Sequence, residues 1–116
     1  MDAEIIREYC LAKRAVSESF PFDEVTLVFK VGGKMFALVS MDGDLTINLK
    51  CDPEQAIELR ERYACVHAGF HMAKSHWNTV HIDGSVSDKL IKEWIDHSYE
   101  LVRNSLPRKI RDSLDK

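Results

Sequence analysis

The sequence predicts a single α+β domain with element order α-βββ-α-ββ-α-α, its strands in an antiparallel sheet and its helices packed on one face. Three observations predict it. Two strong hairpin turns, Gly32-Gly33 and Asp42-Gly43, separate three apolar runs in the first half of the chain. A helix start at Asp52-Pro53 divides those runs from two shorter ones. The last third carries a long apolar stripe at helical spacing. Hairpin-rich strand groups separated by a helix favour antiparallel pairing with helices on one side. A chain of 116 residues suits one hydrophobic core, so the domain is expected to span 1–116.

The elements follow in order. Ile5, Ile6, Tyr9, Cys10 and Val16 repeat at helical spacing, and Asp2 can cap their start, which predicts a helix over 3–17. Phe20-Pro21 closes that segment, because a residue before proline is pushed out of the helical region. Val25, Leu27, Phe29 and Val31 alternate with polar neighbours as a strand. Lys34–Ser40 is apolar on both faces from Met35 to Val39, the pattern of a central strand. Leu45, Ile47 and Leu49 alternate with Thr46, Asn48 and Lys50, one face buried and one wet. The helix begun at Asp52 runs to about Tyr63. Two shorter strands are expected over His67–Met72 and Trp77–Ile82, joined across Ala73–His76. Ser85 or Ser87 caps a long helix whose stripe runs from Leu90 to Ser105, and Pro107 opens a last short helix ending at Leu114.

Composition narrows the function classes. Apolar residues are 45% and charged residues 30%, a folded rather than disordered balance. The three cysteines are dispersed and form no CxxC pair, so they read as reduced, buried thiols. The N-terminus is polar and acidic, and no apolar run approaches the ~20 residues of a membrane helix. A cytoplasmic protein without membrane association is the expectation. The net charge of −3 argues against a generically basic nucleic-acid binder. Positive charge nevertheless gathers at the C-terminus, in Arg103, Arg108, Lys109, Arg111 and Lys116.

His67, His71, His76 and His81 are close in sequence, and a strand over His67–Met72 would place His67 and His71 on one face. No HExxH or CxxC spacing accompanies them, so no metal or other cofactor is expected. No G-x-S-x-G or phosphate-loop spacing appears, so no catalytic residue is assigned and the expectation leans away from an enzyme. Lys74-Ser75-His76-Trp77-Asn78 differs, because it joins a cation, a hydroxyl, an imidazole, an indole and an amide at a strand turn. Those groups contact phosphates, stack on bases or read base edges. Packing offers a competing account, with Trp77 in the core, Asn78 bonded to turn backbone and Lys74 solvated. The residues alone favour packing, since an acidic chain gives up most of the electrostatic term in DNA binding.

The run His71-Met72-x-Lys74-x-His76-Trp77-Asn78-Thr79-Val80 followed by Asp83-Gly84 resembles the signature of the MmcQ/YjbR family. Phe20-Pro21-Phe22, Gly33-Lys34-Met35-Phe36-Ala37, Ser98-Tyr99-x-Leu101-Val102 and Leu106-Pro107 match it as well, in order along nearly the whole chain. The resemblance implies the α+β fold derived above, similar in shape to double-wing DNA-binding domains. It therefore implies double-stranded DNA as a partner, with a protein-interaction adaptor as the alternative. The candidate nucleic-acid contacts are Lys74, His76, Trp77 and Asn78 at the turn, with Arg108, Lys109 and Arg111 adding phosphate contacts from the last helix. Ala73 departs from the family pattern, which usually has Asn there. Oligomeric state is not legible in the sequence.

Overall fold

The computed structural model describes residues 1–70 and 72–115. His71 and Lys116, named above for the histidine cluster and the basic tail, lie outside the described residues.

Helix α1 covers Ala3–Leu11, with Asp2 as its cap accepting the Ile5 N–H at 2.9 Å. Ile6 and Cys10, one turn apart, are its buried residues. The helix is shorter than the predicted 3–17, and a strand, β1 (Val16–Ser19), takes up the remainder. The reason is visible in the side chains. The stripe that holds Ile6 and Cys10 continues into Lys13, whose ammonium turns to Asp96 at 2.5 Å, and Arg14, which is exposed, so no apolar residue extends it. Ala15 turns the chain at φ 61°, and Val16 then pairs with Val31.

Strands β2 (Thr26–Val31) and β3 (Lys34–Ser40) form a hairpin across Gly32 and Gly33, whose φ of 59° and 82° are those of a two-residue primed turn. A β-bulge interrupts the pair: Phe29 faces Ala37, but Lys30 faces Met35, leaving Phe36 as the extra residue. Phe36 and Ala37 therefore both enter the main core, and Met35 is turned to the opposite face. Strand β4 (Thr46–Lys50) follows, then α2 (Pro53–Arg62), with Asp52 as cap and proline in its first turn. Strand β5 is Val66–Ala68 and β6 is Trp77–His81. The long helix α3 covers Asp88–Ser105, capped by Ser87, whose Oγ accepts the Leu90 N–H at 3.1 Å. The short α4 covers Arg108–Leu114.

The six strands form one antiparallel sheet in the order β1-β2-β3-β4-β6-β5. The predicted fold class holds, with β1 added at one edge ahead of the three anticipated strands. The main core lies between one sheet face and the helices. Ile91, Trp94, Ile95, Tyr99 and Val102 of α3 meet Phe29, Phe36, Val39 and Ile47 of the sheet there. Ser98, fully buried, joins the layers by donating to the Phe36 carbonyl at 2.5 Å and accepting the Lys50 N–H at 2.8 Å.

Strand β5 is three residues long and stops short of the predicted end at Met72. Gly69 explains this. A Cβ there would lie 2.7 Å from the Trp77 Cβ, and the Gly69 N–H donates to the Trp77 carbonyl at 2.9 Å. The chain crosses this close to Trp77 only because Gly69 has no side chain.

Candidate functional site

Strand registers decide what the face opposite the helices carries. Leu27, Phe29 and Val31 point into the main core, so Thr26, Val28 and Lys30 point the other way. By the same alternation Leu38 and Ser40, Thr46, Asn48 and Lys50, Thr79 and His81, and His67 share that face. Val28, Leu38 and Trp77 form a small second core on it, with Met35 and Met72 packed against them. The net charge of −3 is distributed against expectation. Strands β2 to β6 contain no carboxylate, and among their residues are Lys30, Lys34, Lys50, His67 and His81. Acidic residues are on helices, turns and β1, where Glu18 is held by Arg7 at 2.6 Å.

Two segments wall this face. One carries Phe22, which is 64% exposed. It is pinned by Asp23, whose carboxylate accepts the Val25 N–H at 2.9 Å, the Thr26 N–H at 2.7 Å and the Thr26 hydroxyl at 3.1 Å. Those bonds, led by the Val25 amide, hold the Asp23 carboxyl below its usual range. The other segment carries Phe70, 50% exposed, whose N–H donates to Thr79 Oγ1 at 2.9 Å. Thr79 in turn donates to Asn48 Oδ1, so the Phe70 segment is tied to the middle of the sheet. Between the walls runs a groove of about 540 Å³ with Thr26, Leu38, Ser40, Thr46 and Asn48 on its floor. Beyond the side chains of Phe70 and Met72, which line both, lies a larger trough of about 690 Å³, lined also by His67, Ala68, Gly69, Lys74 and His81.

The turn singled out by sequence is built differently from its expected role. Trp77 is 8% exposed and Asn78 is 2% exposed. Trp77 packs on Val28 and Leu38, so it lacks the access that a base-stacking platform needs. Asn78 points to the helical side, where its amide donates to the Ala56 carbonyl at 3.3 Å and its Oδ1 accepts from Arg60 Nε at 2.6 Å. Trp77 thus packs as the competing account has it, whereas Asn78 is bonded to helix α2 and not to the turn backbone. Lys74, Ser75 and His76 are exposed at the tip. Arg60 organises that tip: its Nη2 donates to the Lys74 carbonyl and, at 3.2 Å, to the Trp77 carbonyl. Sequence reasoning misses Arg60, because its partners lie 14 to 18 residues away across a helix–strand crossing.

The basic residues of α4 form no common surface with Lys74. Leu106, just before α4, packs on Gly32 in the β2–β3 turn, and Arg14 beside β1 reaches Asp115 at 3.9 Å. Those neighbours belong to the β1 end of the sheet, whereas Lys74 lies between β5 and β6 at the opposite edge. Arg108 and Lys109 are exposed, Arg108 pairs with Asp112 at 3.7 Å, and Arg111 donates to the Asn104 carbonyl at 3.5 Å.

Among the described residues no three His, Cys, Asp or Glu side chains converge as a metal site. All three cysteines are buried, and burial pushes the Cys10 thiol up to about 12 and the Cys51 thiol up to about 11. No helix of the described residues is long and apolar enough to cross a membrane.

Comparison with known proteins agrees with the fold and with the resemblance. The YjbR family model matches residues 11–101. The Escherichia coli K12 protein YjbR is 35% identical over 108 residues, covering 92% of each chain. The protein YbdF of Escherichia coli O157:H7 is 34% identical over 116 residues, covering 94% of this chain and 93% of the relative. A crystal structure of a Deinococcus radiodurans protein with a DUF419 domain superimposes with a TM-score of 0.91 at 37% identity, over 97% of this chain and 86% of that one. A Pseudomonas syringae protein structure gives a TM-score of 0.77 at 26% identity, over 88% of this chain and 99% of that one. An aligned α+β core, a matching signature around the β5–β6 hairpin and relatives of near-equal length place this chain in the YjbR family.

Proposed function

We propose that this protein is a DNA-binding module whose contact surface is the open sheet face, and that it takes DNA as an unpaired strand. The observation that carries the reading is the chemistry of that face. Strands β2 to β6 have no carboxylate, Lys30 and Lys50 share the face, Lys74 stands at its edge, and Phe22 and Phe70 flank a polar-floored groove. Exposed aromatics stack on bases of any sequence, while lysines follow the phosphates. Burial of Trp77 leaves base stacking to Phe22 and Phe70, which are 64% and 50% exposed.

The test is fluorescence anisotropy with a labelled mixed-sequence oligonucleotide, single-stranded and duplex, over a salt series. With three lysines on phosphates, log K should fall against log salt with a slope of roughly −2 for the single strand. Neutralising Lys30 or Lys50 to Gln should lower that slope by about 0.7 each, and Phe70→Ala should weaken binding by ~1–3 kcal/mol. Absence of single-strand binding at low salt would overturn the reading, and preference for the duplex would return the assignment to a double-wing mode.

A protein-interaction role draws on a different observation. Phe20 and Met41 expose 49% and 40% of their surface where they line a hollow with Ala3, Leu27 and Val39, on the helical side of the sheet. An apolar peptide partner would bind there with little dependence on salt, which separates it from DNA in the same titration.

A further inference from the structure

The trough beyond Phe70 and Met72 has its own chemistry. His67 and His81 face each other across β5 and β6 with ring centroids 5.2 Å apart and planes at 86°, one imidazole edge against the other's face. His81 also meets the Phe70 ring, centroids 6.3 Å apart. Lys74 stands on the wall of the same cavity, exposed, its side chain free of the clamp that holds its carbonyl. Of these three side chains none forms an ion pair or hydrogen bond with another protein group among the described residues.

We propose that this trough is a phosphate subsite, in which His67, His81 and Lys74 hold a phosphate group belonging to a strand laid across the open face. The inference rests on the open-face reading for its ligand, though not for its geometry. Each neutral imidazole offers one N–H donor, and an ammonium offers three. Such a set converging on one cavity matches a group whose oxygens are acceptors only. The groove and the trough share Phe70 and Met72 as lining residues, so a base in one and a phosphate in the other are separated by those two side chains. Carboxylates are absent from the adjoining strands β4, β5 and β6. The opposing charge is Asp83, which lies two residues past His81 and interacts with it. Its carboxylate is engaged mainly by Ser85, accepting the Ser85 N–H at 2.9 Å.

A phosphate here has two possible sources, a terminal phosphomonoester or an internal phosphodiester, and the experiment separates them. Inorganic phosphate is titrated into the protein while the imidazole ring protons of His67 and His81 are followed by NMR at constant pH and ionic strength. Both should move along one saturation curve, weakened about fivefold by Lys74→Gln, the upper end for a solvent-exposed charge pair. Asp83→Asn keeps an acceptor for Ser85 and should tighten the same curve. Oligonucleotides with and without a terminal phosphate are then compared on the parent and on a His67→Ala/His81→Ala variant. A terminal-phosphate preference lost in that variant assigns the monoester. Weaker binding by that variant without such a preference assigns the diester. The proposal is overturned if phosphate leaves both imidazoles unmoved and the variant binds strands as the parent does. Phosphate shifts without any strand binding would keep the subsite and refute the open-face reading. Strand binding indifferent to all three residues would do the reverse.

Discussion

Arg60→Ala should be among the more damaging substitutions of a half-exposed residue in this protein. Arg60 sits in the last turn of α2 and donates to three acceptors: Asn78 Oδ1, the Lys74 carbonyl and the Trp77 carbonyl. Losing each of the three has a different consequence. Asn78 is 2% exposed, so its Oδ1 would be left without a partner and without water, at a cost of about 1–3 kcal/mol. The carbonyl of Lys74 is at an exposed tip and can turn to solvent, which adds roughly 0.5–1 kcal/mol for the bonds lost there. The total is about 1.5–4 kcal/mol. For 116 residues, with an unfolding entropy near 2.1 cal/mol/K per residue, this lowers Tm by about 6–16 °C.

Urea denaturation of the parent, Arg60→Ala, Asn78→Leu and the double variant gives the measurement. If the cost comes from a stranded acceptor, the double variant should lose at least ~1 kcal/mol less than the two singles together. Native-state hydrogen exchange adds a local readout. The amides of Trp77, Cys51 and Gly69, which bond to the Ala73, His76 and Trp77 carbonyls around this turn, should exchange faster in Arg60→Ala. The Lys50 amide, held by Ser98, should change less. A loss below ~0.5 kcal/mol with an unchanged m-value would show that Arg60 is a surface cation and the clamp is energetically idle.

Gly69→Ala should destabilise by about 1–3 kcal/mol, since its Cβ would meet the Trp77 Cβ at 2.7 Å and carbonyl at 2.9 Å; a neutral result in denaturant melts would mean that the Phe70 segment yields freely. Asp23 has a carboxyl lowered by the Val25 and Thr26 amides, so its stabilising contribution is present above the unfolded value of 3.8 and is lost as pH falls through the lower folded value. Asp23→Asn should therefore flatten the stability profile below about pH 4, and an acid limb as steep as the parent's would refute the assignment. The buried thiols should react with an aromatic disulfide only on unfolding, Cys10 and Cys51 being raised to about 12 and 11 by burial. A thiol that reacts at once in native buffer would place at least one cysteine at the surface.

Where one-dimensional pattern and three-dimensional burial share a period, the fold is legible. Asp2, Asp52 and Ser87 all cap the helices that their positions predict, and Gly32-Gly33 makes the predicted hairpin. Strand β1 fails this test for a physical reason. Val-Ser-Glu-Ser has one apolar residue, and what holds the strand is its pairing to β2 and the Arg7–Glu18 contact, both supplied from elsewhere in the chain. The end of β5 fails for another. Val-His-Ala-Gly-Phe reads as a continuing strand unless one knows that Trp77 lies directly beneath Gly69.

The same distinction explains the site. The Lys74–Asn78 run is recognisable because its side chains are unusual together, but the features that make it so belong to different compartments. A strand alternates its faces, so Trp77 and Asn78 must go to opposite sides of the sheet, and both sides are covered there. The identity of these two residues therefore reports packing: an indole seating the second core and an amide locking Arg60. What they leave accessible is the surface they support. Phe22, Phe70, Lys30 and Lys50 come from four separate segments and carry no joint signature in the sequence. Phe22 and Phe70 come to line one groove, and Lys30 and Lys50 to share its face, only once the bulge at Phe36 and the Gly69 crossing have set which side each strand presents. A family signature can thus report the packing beneath an exposed face without containing the residues exposed on it, because burial ties an indole and an amide to their partners while an exposed side chain has no such partner to match.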